Sequence, residues 1–347
     1  MDDNGLCNLL EALMCLLSKN KSDATSAAAE QNTFPLSPAS EAFAEVLICE
    51  IALKNRDRLS MLWHNHLREH YYTQLQNLSK TFFDSQEEVQ LRISGSIEKC
   101  ITGLLRISCF SIKRGEIAND VLSTWTLLDS CISEEKQICL LDALGLHIGE
   151  GLWRITRCID DSSQLSEAGW NGILSLVKWC VHYGASLPPL PLSHAGRSVG
   201  LADDDPSIQV YRSLHYLLNV SEAKTQVPSV IGDYIHSLVV TGDKRKYAKL
   251  SIAGLDLLQV LSNAIESEAV SLNKSQSTAE IQNSFWKKNW IPVINNVASI
   301  SRSSHNPVGS TYTFSYQYTV EVFRFSLSFF AFRLCVKMHF QCLQIPS

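Results

Sequence analysis

The chain encodes an all-α protein, and three features of its 347 residues say so. Apolar residues recur at three-and-four spacing in one segment after another, the pattern of helices with a single apolar face. The segments are of similar length and are joined by short polar corners. Strand-like alternation is absent before residue 310. A helix with one apolar face cannot bury it alone, and antiparallel pairs stacked in series solve that problem. The expected architecture is a HEAT- or armadillo-like α-solenoid, with a globular helical bundle as the alternative. No strict sequence period is visible, so the repeat is one of architecture.

The elements follow in order. Leu6, Leu9, Leu10, Leu13, Met14 and Leu17 trace a leading helix. Residues 20–38 are small and polar, broken by Pro35 and Pro38, and read as a linker. The organising stretch is 41–72, two helices around the corner Lys54-Asn55-Arg56-Asp57-Arg58. Phe43, Val46, Leu47, Glu50 and Ile51 define the expected face of the first helix, and Leu59, Leu62, Trp63, Leu67 and Tyr71 that of the second. Asn55 suits the N-cap of the second helix, because its short side chain can accept from exposed N–H groups. Asp57 in the first turn and Lys54 at the end of the preceding helix both suit the helix dipole.

A long stripe then runs over 87–110, broken by Lys113-Arg114-Gly115-Glu116, and Ile117, Val121, Leu122, Trp125 and Leu128 trace the next helix. Residues 140–146 and 148–159 read as two short pieces separated near Gly145 and Gly149, and a further helix runs from Ser166 to about Gly184. Leu187-Pro188-Pro189-Leu190-Pro191 favours polyproline II ahead of an acidic run, a plain linker that also has the form of a PxxP ligand. Helical patterning returns over 208–220, 230–240, 247–270 and 281–301. The resulting division is 1–38 leading helix and linker, 39–184 first helical-repeat region, 185–206 Pro- and Asp-rich linker, 207–304 second helical region, and 305–347 an atypical tail. From Gly309 the tail holds a third of the chain's aromatics and alternates at Phe323, Phe325, Leu327 and Phe329, unlike everything upstream. Arg324 and Arg333 bound an uncharged run far short of the roughly 20 residues a span needs. The tail reads as a non-native C-terminus such as a translated intron, with a marginal buried hairpin as runner-up.

A formal charge of -5 offers no basic field, so nucleic acid is not an expected partner. Eleven cysteines occur without one C-x-x-C, and many lie in helical apolar stripes, as expected of buried thiols in a reducing cytosol. The acidic start lacks a signal-peptide pattern, and the sequons at Asn77, Asn219 and Asn273 carry little weight without a secretory route. The chain is read as cytoplasmic. No phosphate-binding loop, nucleophile elbow, kinase set or H-E-x-x-H is present, so no catalytic residue and no cofactor is assigned. His64, His66 and His70 form the one histidine cluster; two imidazoles on one face hold a metal only with help from elsewhere, and none is assigned. Lys113-Arg114 ends a helix, where positive charge compensates the dipole. Lys244-Arg245-Lys246 with Lys249 begins one, where it does not, so these four are either solvated or contacts for an acidic lipid or acidic partner.

Asn55-Arg56-Asp57-Arg58-Leu59, then Trp63, then His70-Tyr71, resembles the segment that opens the first homology region downstream of the catalytic domain in large Arf guanine-nucleotide exchange factors of the Golgi brefeldin-resistance and GNOM type. Gly103-Leu104-Leu105-Arg106-Ile107 and the Lys113-Arg114-Gly115-Glu116-Ile117 corner are similar to further family motifs, with Gly115 standing where a charged residue is usual. Gly151-Leu152 and Trp170 fit the end of that region. The likeness is specific over 41–183, looser over 207–304 (Gly254-Leu255-Asp256-Leu257-Leu258 and Trp286-Lys287-Lys288-Asn289-Trp290) and ends before 309. It implies a non-catalytic, regulatory and membrane-targeting helical-repeat portion, peripheral on Golgi membranes and assisted by protein partners. The family's catalytic loop, Phe-Arg-x-Pro-Gly-Glu, does not occur in these residues, so Arf would be met only through a catalytic domain outside them. The alternative is a HEAT-type protein-binding scaffold unrelated to Arf.

Overall fold

The computed structural model describes residues 2–23, 37–84, 87–129, 142–160, 165–194, 199–219 and 228–274, with isolated positions between 287 and 299. The expected helix at 281–301, Cys131 and Cys139, and the tail from Gly309 therefore lie largely or wholly outside the described residues. Every long element described is a helix. They form two units, Met1–Ser186 with Ala202–Ser213, and Leu187–Leu201 with Leu214–Ser347.

The first unit begins with α1 (Asp3–Asp23), which buries Leu6, Leu10 and Leu17. Helix α2 spans Pro38–Lys54, with the Ser37 hydroxyl accepting from Ser40 N–H at its start and proline in its first turn. A 3-10 turn, Arg56–Arg58, leads into α3 (Leu59–Leu62), a π-helical stretch Trp63–Leu67, and α4 (Arg68–Asp84). Leu59, Leu62, Trp63, Leu67 and Tyr71, the expected stripe, are all fully buried. Then come α5 (Glu87–Ser111), α6 (Glu116–Ser123) with a 3-10 turn to Leu127, α7 (Asp142–Cys158), α8 (Glu167–Ser186) and α9 (Pro206–Leu217). Gly115 opens α6 at φ 62°, ψ -125°, a conformation that side chains resist, and so the corner carries glycine where the resembled family has charge.

Four local expectations are corrected. In α2 the buried face is Ala44, Glu45, Ile48, Cys49, Ile51 and Ala52, whereas Phe43 is 66% exposed and Val46 also faces out. That face meets α5, most closely at Cys49: a Cβ added at Gly103 would lie 3.1 Å from Cys49 Cβ. Asn55 does not N-cap the next helix. Its Nδ2 and its backbone N–H both donate to the Ile51 carbonyl, at 2.7 and 3.1 Å, so it caps the C-terminus of α2. Gly145 and Gly149 do not break a helix, since α7 runs through both. They are points of close approach, Gly145 facing the Tyr183 ring and Gly149 facing Pro206 and Gln209. Finally, Lys244 ends a helix instead of beginning one.

That last point belongs to the second unit, where α10 (Pro228–Lys244) and α11 (Ala248–Lys274) pack as an antiparallel hairpin. Gly254 abuts Val239, and Ser251 Oγ donates to the Val239 carbonyl at 3.0 Å. Lys244 thus lies in the last turn of α10, where positive charge complements the dipole. Leu190 N–H donates to the Arg245 carbonyl at 3.1 Å, which ties the Pro-rich segment to the hairpin turn.

Candidate functional site

Contacts across the first unit have a common register. Cys49 Sγ of α2 donates to the Gly103 carbonyl of α5, and Arg106 of α5 pairs with Glu50 at 2.8 Å. In turn, α5 meets α7 with His147 against Glu98 and Gly151 against Leu105. Thr156 Oγ1 then lies 3.4 Å from Ser213 Oγ of α9. Residue numbers rise together at each contact, so α2, α5, α7 and the start of α9 run side by side in one direction. On the other side, α6 meets α8 the same way: Asn119 Oδ1 accepts from Ser166 N–H at 2.7 Å, and Asp129 accepts from Ser175 Oγ at 3.1 Å.

This register brings four arginines from three distant segments to one groove of about 790 Å³, walled by α2, α5 and α7. Arg56, Arg106, Arg154 and Arg157 line it with Lys54, against the carboxylates of Glu50 and Glu150. Arg106 is held above its ordinary pKa, first by its hydrogen bond to Glu50. Arg154 is paired along its own helix with Glu150. Arg56 and Arg157 form no ion pair among the described residues. The Arg56 guanidinium instead sits 4.9 Å from the centre of the Phe110 ring, Arg114 shares that ring at 4.5 Å, and Arg157 lies over Trp153 at 5.6 Å. Guanidinium groups stacked on rings are partly fixed before a ligand arrives, so they suit a carboxylate or phosphate that can take a two-pronged hydrogen bond. Cys109 and Cys158 also line the groove; burial first, and then the neighbouring Cys158, pushes the Cys109 thiol up to about 12.

The family-motif residues are divided between surface and core. Trp63 is fully buried and stacks on Tyr71, with ring centres 6.1 Å apart. Arg56 reaches the groove, Asp57 is exposed, and Arg58 pairs with Asp3 at 3.0 Å. Among the lysine-corner residues, Lys244, Lys246 and Lys249 are exposed, but Arg245 is 5% exposed and is withdrawn from any surface patch.

The histidines separate as well: His64 faces Asp120, His66 faces Glu11, and His70 Nε2 lies 3.0 Å from Glu45 Oε2. This last pair is buried and has Cys100 beside it, the carboxylate, imidazole and thiol donor atoms all falling within 4.8 Å of one another. Sequence spacing joins neither Glu45 nor Cys100 to His70, because each lies on a different helix. Compared with family models, with curated proteins and with solved structures, the chain matches none.

Proposed function

We propose that this chain is a non-catalytic regulatory and membrane-targeting portion of a large Arf exchange factor of the Golgi brefeldin-resistance or GNOM type, built as a HEAT/armadillo-like α-solenoid. One observation carries the solenoid reading. Neighbouring layers meet through residues 46 to 58 positions apart, always in the same direction. A stack of helix pairs produces that register, whereas an up-down bundle brings adjacent helices together in opposite directions. The Arf reading is supported by the Asn55–Leu59, Trp63 and His70-Tyr71 motif and by the Gly103–Ile107 stretch. Among the described residues no helix is long and apolar enough to cross a membrane, so attachment to the Golgi surface would be peripheral. Lys244, Lys246 and Lys249 are the residues proposed to meet acidic lipid there.

Two outcomes are expected. The purified chain will not speed GDP release from Arf, because the family's catalytic glutamate loop does not occur in it; stimulated release overturns the assignment. Flotation with phosphatidylserine vesicles will fall at least about tenfold when Lys244, Lys246 and Lys249 are all changed to Glu, since each lysine near an anionic surface contributes about 1 kcal/mol. Unchanged flotation removes the lysine corner from the proposal. The arginine groove favours a second reading, a scaffold for an acidic protein segment. That reading gains if vesicles are ignored while an Arg56→Glu, Arg157→Glu variant loses an acidic peptide that the native chain retains.

A further inference from the structure

We propose that Glu45, His70 and Cys100 are the protein ligands of a buried zinc-type divalent ion that ties α2, α4 and α5 together. Their donor atoms come from three helices and already lie within 4.8 Å of one another. Tetrahedral zinc places its N, O and S ligands roughly 3.3–3.8 Å apart, given bond lengths of about 2.0–2.3 Å. Closing the site therefore takes side-chain shifts of about an ångström, and opening the 3.0 Å Glu45–His70 contact takes a few tenths.

A second, independent observation points the same way. Glu45 is 1% exposed, yet its Oε1 has no hydrogen-bond partner among the described residues. A buried carboxylate oxygen left unpaired is costly, and a cation bound through that oxygen removes the cost. The Tyr71 hydroxyl is equally buried and also lacks a partner, and its ring stands edge-on to His70 at 5.3 Å. It or a water would complete the tetrahedron. Cys49 is not a ligand, because its Sγ is turned to the Gly103 carbonyl.

Charge and softness select the ion. One thiolate and one carboxylate neutralise a divalent cation, so the filled site adds no net charge to the core. Mixed sulfur, imidazole and carboxylate donors suit zinc, while calcium and magnesium want oxygen alone. As the metal–sulfur bond forms, the Cys100 thiol releases its proton to solvent, so binding is coupled to proton release.

The test uses the full chain, stripped with a chelator and titrated with Co²⁺ and then Zn²⁺. A sulfur-to-cobalt charge-transfer band should appear, vanish on zinc addition, and accompany a rise in melting temperature with zinc concentration. Glu45→Gln and Cys100→Ser should each weaken zinc by at least about 100-fold, as befits a direct ligand, while Cys15→Ser should not. If those variants fail to fold, X-ray absorption of the zinc-loaded native chain decides. A single sulfur at about 2.3 Å with the remaining ligands N or O supports the site. No charge-transfer band, no zinc retained, no sulfur, or two or more sulfurs overturns it.

Discussion

Replacing Trp63 with alanine should lower the unfolding free energy by about 3–5 kcal/mol, the usual cost of removing a large, fully buried aromatic. Its indole is sealed at 0% exposure between α3 and α4 and stacks on Tyr71, which is itself buried against Gly103 of α5. The indole N–H has no hydrogen-bond partner among the described residues, so Trp63→Phe removes an unsatisfied donor while keeping most of the ring. We expect that variant to cost well under half as much as Trp63→Ala. Urea midpoints compare the two directly. The competing view holds that Trp63 is reserved for a partner or membrane. It predicts an unchanged midpoint in Trp63→Ala together with lost vesicle binding, and that result would reverse our assignment of Trp63 to the core.

How much of this could be read from the residues depended on how local the information was. The stripe Leu59, Leu62, Trp63, Leu67 and Tyr71 and the corner at Gly115 are set within a few turns of helix, and spacing alone exposes them. The buried face of α2 was not legible. Phe43 and Val46 are as apolar as Ile48 and Ile51, and the partner that covers the latter face, α5 with Gly103 against Cys49, lies over fifty positions away. The same holds for Gly145 and Gly149. A glycine that ends a helix and one that lets a neighbour in look alike in sequence, and Tyr183 and Pro206 distinguish them only after stacking. Both candidate sites share this origin. Arg56, Arg106, Arg154 and Arg157 are ordinary helix and corner residues until the layers align them, and Glu45, His70 and Cys100 meet only across three helices.

The stacking of α8 on α6 in the first unit can be tested at one carbon atom. In Gly172→Ala the new Cβ would lie 1.9 Å from the Leu122 carbonyl oxygen and 2.5 Å from its carbon. Backbone cannot swing aside as a side chain can, and this carbonyl is already held, since Thr124 N–H donates to it at the end of α6. Relief requires α8 to draw back from α6. That would loosen Trp125 and Ile173, both fully buried, and strain the Asp129–Ser175 contact. Overpacking of this kind costs about 1–3 kcal/mol and sometimes more. Against it stands the helix-propensity gain of alanine over glycine, about 1 kcal/mol. With the clash on backbone, we expect the cost to fall at the upper end of that range and to win, for a net loss of about 2 kcal/mol. Gly95→Ala is the matched control, because among the described residues a Cβ there meets nothing within 4 Å. It should stabilise by about 0.5–1 kcal/mol. Chemical denaturation of the two variants beside the native chain separates propensity from packing. If Gly172→Ala is as stable as Gly95→Ala, α6 and α8 do not meet at Leu122, and the shared direction claimed for that pair fails with the contact.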